Sequence, residues 1–92
     1  MIKRIRHKGL RRLYSQGDMS GVQSSHVPRL RALMALPEAA ATPNDLAARS
    51  LRLHELKGRR AGTWSLWVNG NWRLTFRFVG EDVTDVGYED YH

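Results

Sequence analysis

The period of the apolar positions changes near residue 51 from helical to alternating. Residues 8–16 place Leu10, Leu13 and Tyr14 on one helical face, and Gly17 follows as a stop signal. A polar loop over 18–24 leads to a second helix. Ser25 is its N-cap, Pro28 joins its first turn, and Val27, Leu30, Leu33 and Met34 form its stripe, with Pro37 just past its end. Thr42-Pro43-Asn44-Asp45 starts a third, short helix that ends near Arg49. Threonine caps it, proline takes the first helical position, and an acid takes the third. Ahead of the helices, residues 2–5 read as a short strand.

From residue 51 the chain reads as strands. Residues 51–57 are a candidate with imperfect alternation, 57–62 form a cationic loop, and 63–68 and 72–79 alternate cleanly. The last strand covers 83–88, with the terminus built into the sheet. A two-residue turn at Asn69-Gly70 would set Leu66 beside Arg73 and scramble the faces. A three-residue loop over 69–71 instead pairs Val68 with Trp72, Leu66 with Leu74 and Trp64 with Phe76, with Asn71 left-handed. That places Trp67 beside Arg73, Ser65 beside Thr75 and Thr63 beside Arg77 on the other face. A loop over 80–82 then pairs Phe76 with Val86 and Leu74 with Tyr88 inward, and Arg77 with Asp85 and Arg73 with Glu89 outward. Helices first and a meander after give an α+β fold, with helices packed on one sheet face.

The 92 residues make one small domain, 1–92, with a thin core. There is no cysteine, so neither disulfides nor thiolate metal sites support it, which fits a cytoplasmic protein. The basic opening MIKRIRHKG precedes no apolar run, so it is not a secretory signal, and no stretch is long enough to span a membrane. The net charge of +6 is uneven: all 15 Lys and Arg lie at or before Arg77, while five of the nine acids follow it. Such a surface suits a polyanionic partner, whether RNA, DNA or an acidic protein. No helix has the character of a DNA-recognition helix.

Candidate chemistry gathers late in the chain. Arg73, Arg77 and Trp67 share the outward sheet face, where guanidinium suits phosphate and indole suits a base. Cross-strand ion pairs Arg77–Asp85 and Arg73–Glu89 are the plain alternative. His54, Asp90, Tyr91 and His92 are candidate acids and bases, with Lys57, Arg59, Arg60 and Arg73 to stabilise charge. There is no HxxxH, HExxH or cysteine pair, so no metal or other cofactor is expected. His7 and His26 lack such company and read as structural or solvated. A non-catalytic RNA- or ribosome-binding module would explain the charge and aromatics equally well, but not the acid–base set.

HELKG at 54–58, W-x-L-x-V at 64–68, NWRLTF at 71–76 and YEDYH at 88–92, with the opening IKRIRHKGLRRLYSQG, resemble the HigB toxins of the RelE/ParE superfamily over essentially the whole chain. The resemblance implies a RelE-like fold and a type II toxin that cleaves messenger RNA on the translating ribosome, in the 30S A site. It also implies a HigA-type antitoxin with a helix-turn-helix domain. The family's functional cluster falls on His54, Lys57, Arg73, Asp90, Tyr91 and His92. The implied chemistry is metal-free: a base, His54 or Asp90, takes the ribose 2′-hydroxyl proton, His92 serves as acid, and Tyr91 orients or stacks on a base. The turn before NWR is Asn69-Gly70, where relatives can carry a basic residue; Arg59 and Arg60 are placed to compensate.

Overall fold

In a computed structural model, which describes residues 2–39 and 51–90, the first helix is α1, Lys8–Gln16. His7 caps it: Nδ1 accepts a hydrogen bond from the Leu10 N–H at 3.0 Å. Gly17 ends it at φ 71°, a left-handed conformation that costs glycine nothing, and its N–H satisfies carbonyls of the last turn. Leu10 and Leu13 are buried, but Tyr14 is 42% exposed. The buried face also takes in Gly9, which shifts its centre and leaves Tyr14 on the rim, roughly 95° away. Gly9 is buried because the Gly21 backbone lies directly against it, where a Cβ would collide with the Gly21 carbonyl.

A short 3-10 turn, Ser24–His26, feeds α2, Val27–Ala39. Ser25 therefore lies inside the turn and not at a simple N-cap. The helix also runs through Pro37. A proline in the last turn forgoes one backbone bond and lets the helix finish two residues later. The expected helix after Thr42 lies outside the described residues.

Four strands follow: β1, His54–Glu55; β2, Thr63–Asn69; β3, Trp72–Val79; and β4, Asp82–Asp90. They form an antiparallel sheet in sequence order. Of the candidate strand over 51–57 only two residues pair, because Arg52 is left-handed (φ 51°) and breaks the extended run. Residues 2–5 are not a regular strand either. They run parallel along the outer edge of β4, with bridges from Ile2 to Val83 and from Ile5 to Val86, and Arg6 N–H donates to Val86 O at 2.7 Å.

The β2–β3 register pairs Trp64 with Phe76, Leu66 with Leu74 and Trp67 with Arg73, as the apolar faces require. It shifts at the turn: Asn69, not Val68, opposes Trp72, so Val68 is a bulge and Gly70, not Asn71, takes positive φ. Glycine is the cheaper residue there, and the bulge keeps Val68 inward. In β3–β4, Leu74 opposes Tyr88 and Arg73 opposes Glu89, but Arg77 meets Thr84. Asp85, at φ 52°, is the extra residue of a second bulge, a conformation that aspartate tolerates.

α2 packs against β2 and β4. The core joins Leu10 and Leu13 of α1 and Leu30, Leu33 and Met34 of α2 to Leu66, Leu74, Phe76, Val86 and Tyr88 of the sheet. This is the α+β arrangement that the sequence pattern implies. The opposite sheet face is left to carry chemistry.

Candidate active site

Cross-strand partners share a face, so the register assigns the outward side chains. One row runs His54, Ser65, Thr75, Gly87 from β1 to β4; the next runs Trp67, Arg73, Glu89. His54 is thus exposed at the β1 end of the face that carries Arg73. Lys57 and Arg59 are exposed on the loop that follows β1, where residues 58–60 make a 3-10 turn. Asp90 ends β4 opposite Trp72. Strand alternation gives it the parity of Tyr88, not of Glu89, and it borders a separate cavity of about 440 Å³ shared with Trp72, Tyr88 and His7. Tyr91 and His92 lie outside the described residues.

Neither expected cross-strand ion pair forms. Arg60 reaches over the face and binds Glu89 with two hydrogen bonds, 2.6 and 2.9 Å. That bond holds the Glu89 carboxyl below its ordinary range against the opposing effect of burial. Arg73 turns along its own strand end, donating to Gly70 O at 3.1 Å and Trp72 O at 3.2 Å. Arg77 donates to Thr63 Oγ1 at 3.2 Å and to Ala61 O at 3.4 Å, while Asp85, turned outward by its bulge, pairs with Arg4 at 2.6 Å. Trp67 is not an open platform. The Arg52 guanidinium lies 4.6 Å from its ring centroid and Arg29 lies 5.5 Å away, and its indole N–H donates to Gly70 O. A base would stack on Trp67 by displacing a cation already seated there.

Arg4 and Arg6 are functional candidates that the sequence reading passed over. They flank Ile5 with the alternation of a strand, which was the available signal, but their partner strand is the distant β4. Among the described residues no three His, Asp or Glu side chains converge as metal ligands would, and no helix is long and apolar enough to cross a membrane.

His7 and His26 are structural. The His26 ring shares a 2.6 Å hydrogen bond with the Tyr88 hydroxyl, and His7 packs edge-on against Tyr88 at 5.3 Å between centroids. Burial, then the neighbouring Arg6 charge, lowers the His7 pKa from its ordinary 6.5, and Nδ1 must be unprotonated to cap α1. Folding therefore favours the neutral ring. Its contribution to stability is present above pH 6.5 and declines as pH falls below that value, where the unfolded chain takes up the proton first. His7→Gln is expected to cost about 1 kcal/mol, the usual worth of a cap, and to flatten the fall in melting temperature between pH 7 and pH 5.5. An unchanged pH profile would show that another group controls it.

The comparison with known proteins decides the family. The model of HigB-like toxins, described as the RelE-like toxin of the type II toxin–antitoxin system HigB, matches residues 3–92. The chain belongs to the HigB-like toxin family. It is also 41% identical over all 92 residues to a protein of Proteus vulgaris called Endoribonuclease HigB, covering the whole of both chains. A toxin of this class has a cognate antitoxin and acts on RNA, and among the described residues two α-helices on a four-stranded antiparallel sheet agree with the RelE-like fold.

Proposed function

We propose that this HigB-family endoribonuclease cuts messenger RNA on the translating ribosome, in the A site, by metal-free acid–base chemistry on its outward sheet face. The observation that carries the reading is the juxtaposition of His54 with Arg73 on that face, beside the Lys57–Arg60 loop, in a chain matched to an endoribonuclease along its full length. His54 is the better base. It shares a face with the cations that would hold the phosphate, whereas the parity of Asp90 directs it to the other side of the sheet. The base takes the ribose 2′-hydroxyl proton, and that oxygen attacks the adjacent phosphorus. Lys57 and Arg73 balance the charge gathering on the phosphoryl oxygens, and His92 protonates the departing 5′-oxygen. The products are a 2′,3′-cyclic phosphate and a 5′-hydroxyl end. The toxin works in the cytoplasm, where translation takes place, and a HigA-type helix-turn-helix antitoxin restrains it.

Induced expression is therefore expected to arrest growth and to cut translated messages. Primer extension on programmed ribosomes should place the cuts in the A site, with the same cuts on free message weak or missing. Cleavage should persist when chelator is added to a level that removes transition metals but leaves the magnesium that holds ribosomes together. Growth arrest with intact messages would favour a binding module that blocks translation without cutting.

A further inference from the structure

A cleft of about 470 Å³ is lined from the sheet by Thr63 of β2, Arg77 of β3 and Asp85 and Glu89 of β4. Four guanidinium groups line it, those of Arg4, Arg6, Arg60 and Arg77, against the two carboxylates of Asp85 and Glu89. Each carboxylate is already engaged by one arginine, Arg4 on Asp85 and Arg60 on Glu89. The positive charge of Arg6 and Arg77 is left over. Among the described residues the Arg6 guanidinium makes no hydrogen bond, and that of Arg77 uses only Nη1. Beneath the Arg6 guanidinium lies Gly87, where a Cβ would collide with Arg6 Nη2 and come within 2.9 Å of Thr75 Oγ1. Glycine thus lets the Arg6 guanidinium lie on the sheet. Beside it Thr75 is fully buried, and its hydroxyl makes no hydrogen bond of ordinary length among the described residues, although it lies near enough to Glu89 to favour the carboxylate.

We propose that this cleft is a phosphodiester subsite, with Arg6 and Arg77 as its binding groups, that holds the RNA strand to one side of the cut. The proposal rests on the reading of the chain as an RNA-cutting toxin. Planar guanidinium groups suit phosphate oxygens because two N–H donors meet two acceptors. The lining of the cleft runs from Thr63 on β2 through Arg77 on β3 to Asp85 and Glu89 on β4, and His54 stands on β1 at the edge of the same sheet. An extended single strand lying across the sheet would pass over both. Asp85 and Glu89 do not oppose this, because each is neutralised and serves to aim its arginine. The cations that hold the reacting phosphate are Lys57 and Arg73, so this second site would set the register of the strand and not the chemistry.

The test uses the full chain and does not depend on cleavage. Binding to a 2′-O-methylated single-stranded RNA, which cannot be cut, is measured against salt for wild type, Arg6→Gln, Arg77→Gln and Gly87→Ala. Arg31→Gln, on the exposed side of α2, controls for loss of charge alone. Arg6→Gln and Arg77→Gln should each weaken binding about tenfold, the scale of a lost hydrogen bond to a charged group, and lower the salt slope by about 0.7 per contact. Gly87→Ala should weaken binding with no charge removed, because it displaces Arg6. Arg31→Gln should do neither, and melting temperatures identify any variant that is merely unfolded. Equal, small effects from Arg6→Gln, Arg77→Gln and Arg31→Gln would overturn the subsite, as would a wild-type chain that does not bind the strand. A parallel arm measures affinity for ribosomes with a vacant A site. Loss confined to that arm would assign the phosphates to ribosomal RNA and overturn the substrate-strand assignment. Loss of affinity for the antitoxin alone would make the cleft an acidic-protein site instead. If the wild-type chain binds the strand but cuts nothing on ribosomes, the functional reading fails while the subsite stands.

Discussion

Replacing His92 with glutamine is expected to slow message cleavage by about 10²–10⁴-fold, the usual worth of a positioned acid or base, while ribosome binding stays nearly unchanged. Glutamine keeps a polar side chain of similar reach and adds no charge, but it cannot give a proton to the leaving 5′-oxygen. His54→Gln should act in the same way from the other side of the reaction, because it removes the proposed base. His54 is exposed and stands on a two-residue strand at the sheet edge, so its loss leaves the core untouched. Single-turnover cleavage on programmed ribosomes, with pelleting to measure binding, separates the two effects. His7 is unsuitable as a silent control, because it caps α1 and packs on Tyr88. Arg31→Gln serves better. If His92→Gln and His54→Gln cut at the wild-type rate, the acid–base assignment fails. If binding falls in step with cleavage, the histidines serve recognition and not catalysis.

The parts of the fold that were legible in the sequence are those set by local periodicity. Leu10 and Leu13, the stripe Leu30–Leu33–Met34, and the alternation around Leu66, Leu74 and Phe76 each fix a buried face without reference to anything distant. The β2–β3 pairing followed because one register makes the inward pairs Trp64–Phe76 and Leu66–Leu74 apolar. What escaped depends on single residues that break periodicity. Arg52 and Asp85 take left-handed conformations that no composition rule assigns to them, and these shorten β1 and turn Asp85 toward Arg4 in place of Arg77. The bulge at Val68 is of the same kind, since one extra residue satisfies both the apolar face and a glycine turn. The candidate site was legible as a set of residue types but not as a wiring. Which arginine serves which acid depends on side chains that reach across several strands, as Arg60 does to Glu89. The edge pairing of residues 2–5 with β4 spans almost the whole chain, so the alternation around Ile5 did not by itself tell which strand Arg4 and Arg6 would join.

The three tryptophans divide between the core face of the sheet and the outward face. Trp72 stacks on Tyr88 with 4.6 Å between ring centroids and 28° between planes, and it meets the edge of His26 at 5.7 Å. Tyr88 in turn is hydrogen-bonded to His26, so Trp72 closes a cluster that ties β3 and β4 to the turn before α2. Trp64 packs against the core opposite Phe76. Trp72→Ala and Trp64→Ala should each destabilise the fold by about 3 kcal/mol, the low end for a large aromatic because both keep some exposure. Trp67 faces the other way. Its loss removes the seat for the Arg52 and Arg29 guanidinium groups and one hydrogen bond to Gly70, a stability cost of about 1 kcal/mol. The larger consequence should appear in engagement of RNA or the ribosome, weakened by about 1–3 kcal/mol if a base takes the place of a guanidinium on the indole. Arg52→Gln gives the converse: it clears that ring face without adding a cavity, so it should leave RNA affinity equal or improved if the base stacks there. Chemical denaturation and binding assays on the four variants decide the matter. Should Trp67→Ala prove the most destabilising, the indole is a structural clamp between α2 and the sheet edge. The bases would then have to be read elsewhere on the face, and His54 and Arg73 would have to act without a stacking partner between them.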